Sequence, residues 1–395
     1  MNLPLAGVRV LTVEQFGAGP YGSAHLADMG AEVIKIENRQ TGGDLSRQVG
    51  PLFLGADDSQ FYQTFNRNKR SLSLNLKTPE GREILERLVA GADAVFGNLR
   101  GDQPEKLGLT YADLAPINPR LVCAHISAYG NSGSRKGWPG FDYLVQAESG
   151  FLSLTGEPNG PPARFGLSMV DYMTGMTAAF ALLSALHAAR ETGLGRDVQV
   201  SLYDTAMHQL TYPATWYLND GLETTRQPRS AHPYVVPSQL FRTRDGWVFI
   251  MCQSPKFWGL FCDRIGRADL AEDADFRDDE ARHRNRDRLT EILDAVLETE
   301  DTETWIGRLA GAVPCGPVYD LGQALDNPFL AEREGIQAVD HPDRPGLKMV
   351  ANPIRIGAPI PDRPAPKLGA DTDDLLAEIG YDETEIASLR DAGVV

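Results

Sequence analysis

The chain has 395 residues, 42% hydrophobic, 8% aromatic and 23% charged, a balance that fits a globular protein with room for two domains and a large core. Its 38 Lys and Arg against 54 Asp and Glu leave a net charge of −16, which argues against a general nucleic-acid or anionic-membrane binder and confines contacts with an anionic ligand to local basic groups. Cys123, Cys252, Cys262 and Cys315 stand far apart with no CxxC pair, so neither a zinc site nor a disulfide framework is read, and a reducing cytoplasm fits.

In chain order, the start MNLPLAGVRVLTVEQFG lacks the pattern of a signal peptide. VRVLTV (8–13) reads as a buried strand, GSAHLADMG as a short helix closing at Gly30, and EVIKIE (32–37) as a second strand. SLSLNL (71–76) has the period of a strand with one face buried. Thr78 and Pro79 supply the N-cap and first residue of a helix whose Ile84, Leu85, Leu88 and Val89 form one apolar stripe. ADAVFG and LVCAHIS add two strands. MTGMTAAFALLSALHAA (173–189) is short for a membrane span and rich in Ala, so a buried helix over about 172–190 is predicted, followed by a turn and strand in GLGRDVQVSLYD. Strands alternating with helices predict an α/β fold with a largely parallel sheet and ligands at the carboxyl ends of the strands.

From Thr211, TYPATWYLNDGLETTRQPRSAHPYVVP is rich in Pro, aromatics and turn residues and reads as a crossing segment. SQLFRT and WVFIMC flank Arg244-Asp245-Gly246 as a hairpin, and RLTEILDAVLETE sets Leu289, Ile292, Leu293, Val296 and Leu297 on one helical face. The expected organisation is the N-terminal part of a large domain over 1–210, a smaller α+β domain over 225–325, and a Pro-rich return with two short helices over 330–395.

Gly17-Ala18-Gly19-Pro20-Tyr21-Gly22 matches GxGxxG, with Glu37 closing the next strand, which taken literally is a dinucleotide fingerprint. Glu14, Gln15 and Phe16 lengthen the turn and Pro20 stiffens it, so NAD binding is disfavoured; a glycine loop where phosphate can approach backbone N–H groups remains. No histidine has HExxH or HxxxH spacing, so no metal is expected, and the hydrolase GxSxG and P-loop patterns are missing. Of the basic clusters, NRNKRS (Arg67, Lys69, Arg70) lies just before a strand and is the better phosphate candidate. Asp171, in SMVDYMTGM, is placed to cap the long helix, and a helix start would also favour the ionised form that a carboxylate nucleophile requires. Gly175, one turn on, is read as leaving room for a bulky ligand.

GVRVLTVEQFGAGPYGSAHLADMGAEVIKIE, NRNKRSLSLNLKTPEG, SAYGNSGSRKGWPGFDYLVQAESGF, DYMTG, TGLGRDVQVSLYD, VPCGPV and the closing AGVV run in order across nearly the whole chain. Together they resemble the class III CoA-transferases, the family of formyl-CoA transferase, carnitine CoA-transferase and α-methylacyl-CoA racemase. The resemblance implies a Rossmann-like large domain built from both chain ends, a smaller α+β domain and an interlocked homodimer. It also implies that Asp171 attacks a donor acyl-CoA to give a mixed anhydride and then an aspartyl-CoA thioester, with backbone N–H groups of the Gly17 loop holding the oxyanion. Contacts to CoA carried over by position are Phe16, Gly17, Ala18, Leu72, Lys77, Asn98, Lys106 and Tyr129. CoA is then part of the substrate, and no tightly bound cofactor is implied.

Departures from the family pattern narrow the activity. Many members carry Arg after the IE of the second strand, where this chain has Asn38 followed by Arg39. The racemase branch has a histidine in a GHD segment; Gly140-Phe141-Asp142 replaces it, and Phe141 cannot shuttle a proton. In place of the glycine-rich lid of formyl-CoA transferase stands SAHPYVVP (230–237), similar to members using succinyl-CoA and a dicarboxylic acceptor. That likeness implies His232 or Arg164 as carboxylate contacts. Intermolecular CoA transfer is the expected activity; acyl-CoA racemisation or isomerisation and non-catalytic acyl-CoA binding are the alternatives.

Overall fold

The computed structural model describes residues 2–395. Its first five strands are β1 (Arg9–Val13), β2 (Glu32–Glu37), β3 (Arg70–Ser73), β4 (Ala94–Gly97) and β5 (Val122–Ser127). With β6 (Arg196–Ser201) they form one sheet in the order β3-β2-β1-β4-β5-β6. All its pairings are parallel, as the alternation of strand and helix predicts. The order reverses between β1 and β4, and the crevice outside the carboxyl ends there is the usual ligand position of a doubly wound sheet.

Local signals set several elements. Thr78 Oγ1 accepts the Gly81 N–H at 3.0 Å, and the helix Pro79–Ala90 buries Ile84, Leu85, Leu88 and Val89 as its periodicity requires. The strand expected through Leu76 stops at Ser73, because Asn75 N–H turns to Val394 O (2.7 Å) at the far end of the chain. The helices Thr372–Glu378 and Glu383–Asp391 deliver Leu375, Leu376 and Ile386 to the core that also takes Leu72, Ile84 and the terminal Val394 and Val395. The residues up to Ser149, Gly166–Leu210 and Phe329–Val395 form one compact unit, and Gly150–Phe165 with Thr211–Pro328 the other.

In the second unit β7 (Ser238–Arg242) and β8 (Trp247–Met251) make the expected antiparallel hairpin, and β9 (Cys315–Pro317) extends it. Its core gathers Trp258, Phe261, Phe276, Leu293 and Trp305. The expected crossing segment opens instead as a helix, Thr211–Asp220. Pro213 lies in its first turn, where a missing N–H is harmless. The Pro-rich return also holds an unexpected hairpin, β10 (Ile336–His341) against β11 (Arg344–Val350); Pro342 in its turn and Pro345 near the start of β11 mask the strand period.

Candidate active site

Asp171 is the third residue of the helix Met169–Thr192, not its cap. Ser168 holds the cap position without a side-chain bond, and the buried Asp142 accepts the Asp171 N–H on Oδ2 at 2.9 Å. A second carboxylate therefore ties down the helix start. The Asp171 carboxyl is left facing a cleft. Burial and then the charge of Asp142 push it up to about 7, which reverses the expectation that the helix start favours its ionised form.

Three glycines allow the close approach. A Cβ on Gly17 would stand 2.6 Å from Asp171 Oδ2, one on Gly22 2.5 Å from Gly175 O, and one on Gly175 2.3 Å from Ala18 O. The space beside Gly175 is thus taken by the backbone of the helix Ala18–Asp28, not by a ligand as the sequence suggested. That helix begins inside the glycine run, so Gly17 is its N-cap and Ala18 and Gly19 belong to its first turn.

The cleft, of about 190 Å³, lies at the reversal point of the sheet. Gln15–Ala18 after β1, Asn98–Arg100 after β4 and Ile126–Ala128 from the end of β5 line it, with Trp138–Phe141, Asp171 and Leu202. Phe16 and Phe141 meet edge-to-face across it, ring centroids 6.4 Å apart. Phe16, Gly17, Ala18, Asn98 and Asp171, named from the sequence, are therefore gathered in one place.

The predicted phosphate cluster is fully committed elsewhere. Arg67 is bidentate to Asp28, Lys69 pairs with Glu14 at 2.8 Å, and Arg70 pairs with Glu32 at 2.6 Å and Glu378 at 2.8 Å. Burial, only partly offset by Glu14, lowers the Lys69 ammonium to about 8. Glu37 cannot serve a ribose, because it is buried against Arg47 at 2.7 Å.

Residues 5–372 match the profile of CoA-transferase family III. The chain belongs to that family. The succinate–glutarate CoA-transferase of Agrobacterium fabrum is 33% identical over 95% of this chain and 96% of its own. The succinyl-CoA:mesaconate CoA-transferase of Haloarcula marismortui is 35% identical over 96% and 97%. Among solved structures, a CAIB/BAIF family protein from Brucella suis superposes with a TM-score of 0.83 at 31% identity, covering 96% of this chain and 100% of that one.

The other positions carried over from family III lie apart from the cleft lining. Leu72 is buried in the core from β3, and Lys77 is exposed just beyond that strand. Lys106 is exposed and shares Asp102 with Arg100. Tyr129 follows β5 and meets the cleft residue Trp138 edge-on at 6.1 Å. Asn38 caps a turn by accepting the Gln40 N–H, and Arg39 donates to Leu368 O. In the second unit His232 Nδ1 accepts the N–H groups of Tyr234 and Val235, folding its own loop, and burial and the Arg286 charge lower its pKa. Arg164 donates to Phe165 O.

Sequence reasoning missed Asp142 as the partner of Asp171. It also missed the buried charges Glu14, Lys35 and Asp44 behind the glycine loop. The available signal was Lys35 itself, an ammonium in the middle of the otherwise buried strand EVIKIE.

The raised Asp171 carboxyl sets a pH dependence. If Asp171 is the group that is acylated, first-turnover acylation should rise with pH through about 7 as its carboxyl ionises. In Asp142→Asn the side-chain oxygen can still accept the Asp171 N–H while the repelling charge is gone, so the midpoint should move to lower pH. A stopped-flow pH profile of both proteins checks it; an unmoved midpoint would show that Asp142 does not tune Asp171.

Proposed function

We propose that the protein moves CoA from a dicarboxyl-CoA donor such as succinyl-CoA to a carboxylic acid acceptor, with Asp171 as the nucleophile. The observation that carries this is the seat of Asp171 Oδ2 against the Cα of Gly17, at the first amides of a helix and the reversal point of a parallel sheet. The glutarate and mesaconate transferases among the relatives favour a dicarboxylic acceptor.

A carboxylate oxygen of Asp171 attacks the donor thioester carbon, the C–S bond breaks, and CoA thiolate leaves a mixed anhydride. The thiolate then attacks the aspartyl carbonyl, releasing the donor acid and leaving aspartyl-CoA. An acceptor carboxylate attacks that thioester, the thiolate departs again, and its attack on the acceptor carbonyl yields the new CoA ester and restores Asp171. The reaction conserves the thioester without redox change, so its demands are an oxyanion site and exclusion of water. The amides of Gly17 and Ala18 supply the first, and Phe16, Trp138 and Phe141 the second. Phe16, Ala18 and Asn98 hold the pantetheine end of CoA, while Leu72, Lys77, Lys106 and Tyr129 serve the rest of it. His232 and Arg164 are the acceptor contacts. The apolar Phe141 beside Asp171 offers no second proton carrier, which disfavours racemisation.

The working form is an interlocked homodimer in the cytoplasm. Phe180, 73% exposed on the long helix beside the exposed Met176, supports a partner surface, and the free cysteines suit a reducing compartment. Light scattering should return twice the chain mass. Succinyl-CoA offered with a panel of mono- and dicarboxylic acids, read by mass of the product CoA esters, should give dicarboxyl-CoA products. Solvent deuterium entering the α-carbon with no acceptor present would instead indicate an isomerase.

A further inference from the structure

The segment that delivers Gly17 to Asp171 is held by side chains at each peptide group from Glu14 O to Phe16 N. Lys35 Nζ donates to Glu14 O at 3.0 Å. Asn98 accepts the Gln15 N–H on Oδ1 and donates to Gln15 O from Nδ2, both at 2.8 Å. Asp44 Oδ1 accepts the Phe16 N–H at 3.1 Å. Phe16 itself has φ 59°, a left-handed backbone that a bulky L residue keeps only where its surroundings impose it.

Two of these clamps are one ion pair. Lys35 Nζ stands 2.8 Å from Asp44 Oδ2, and neither side chain has exposed surface. Burial opposes both charges and is the largest single influence on each; Asp44, Glu14 and Glu37 together more than offset it for Lys35, and Lys35 with the bonds from Ser46 does so for Asp44. The Asp44 N–H is in turn given to Glu37 Oε1 at 3.0 Å, and Glu37 is fixed by Arg47. A buried ion pair is a poor way to stabilise a core, since an apolar pair of the same volume does as well. This one grips the peptide groups on either side of Gln15, and neither member lines the cleft.

We propose that Lys35 and Asp44 are a positioning pair for the nucleophile loop, holding Phe16 in the left-handed turn that sets Gly17 and its amide against Asp171. The inference rests on Asp171 being the nucleophile. Breaking the pair should slow formation of the aspartyl intermediates and leave acceptor recognition alone.

The test is single-turnover formation of hydroxylamine-trapped enzyme from succinyl-CoA, run beside the equilibrium dissociation constant of the acceptor acid. Asp44→Ala should lower the single-turnover rate about 30- to 100-fold, the range for a reacting group misplaced by about 1 Å, with the acceptor dissociation constant unchanged. Asp44→Asn combined with Lys35→Met keeps an oxygen for the Phe16 N–H and removes both charges, and should return to within about 10-fold of wild type. A folded Asp44→Ala enzyme acylating at the wild-type rate would overturn the proposal, as would a fall in rate accompanied by an equal weakening of acceptor binding. If Asp44→Ala does not fold, hydrogen exchange of the wild-type chain decides. The Phe16 amide should exchange as slowly as the amides of β1, and exchange at the rate of an open loop would sink the idea. Asp171→Asn is carried in parallel: if it too acylates, the nucleophile assignment fails, while the exchange result still judges the loop.

Discussion

Asp171→Asn should fold and lose acyl transfer by roughly three orders of magnitude or more, because an amide cannot form the anhydride on which both half-reactions of the proposed mechanism depend. The helix start does not suffer, since its tie is the Asp171 backbone N–H on Asp142, which the substitution leaves in place. Stability should move in the opposite direction from activity. The folded chain holds the Asp171 carboxyl at about 7, above its unfolded value, so the native state binds the proton more tightly. Stability is therefore lost as pH rises from the unfolded value through about 7, and Asn removes that loss. Thermal melts should show the variant equal to wild type near pH 4 and more stable at pH 8. A variant less stable at both pH values, with activity lowered only in proportion, would mean that Asp171 is structural.

Gly175→Ala has the largest expected effect on the fold. Its Cβ would lie 2.3 Å from Ala18 O, a backbone atom of a packed helix that cannot rotate aside. Overpacking of this kind costs about 3 kcal/mol at the upper end of its usual range. Replacing Gly by Ala within a helix returns about 1 kcal/mol, so a net loss of about 2 kcal/mol is expected. Urea titration should show a lower midpoint at unchanged slope. Because the two helices carry Asp171 and the Gly17 loop, acylation should fall further than stability predicts. Wild-type stability and rate would place the helix crossing elsewhere.

Much of the cleft was legible before any coordinates. The glycine run after β1 and Asp171 at a helix start were each marked by local signals, strand period, turn residues and a capping residue type, while Asn98 after β4 came from the family resemblance. A parallel α/β sheet brings such strand ends together, so their convergence follows from the fold class. The failures share another cause. Lys69 read as a phosphate contact because it stands in a charge run just before a strand, yet its partner Glu14 lies 55 residues away. Gly175 read as room for a ligand because the neighbour that fills the space, Ala18, is on another helix.

What the sequence determined by itself was therefore the alternation of elements, the start of the helix at Thr78 and Pro79, and the family. All of these depend on the order of neighbours along the chain. The tertiary structure alone decided that Asp142, 29 residues before Asp171, ties the helix start in its place. It alone raised the Asp171 pKa and set a buried Lys35–Asp44 pair behind the loop. Burial and through-space charge set those properties, and both depend on which distant segments pack together.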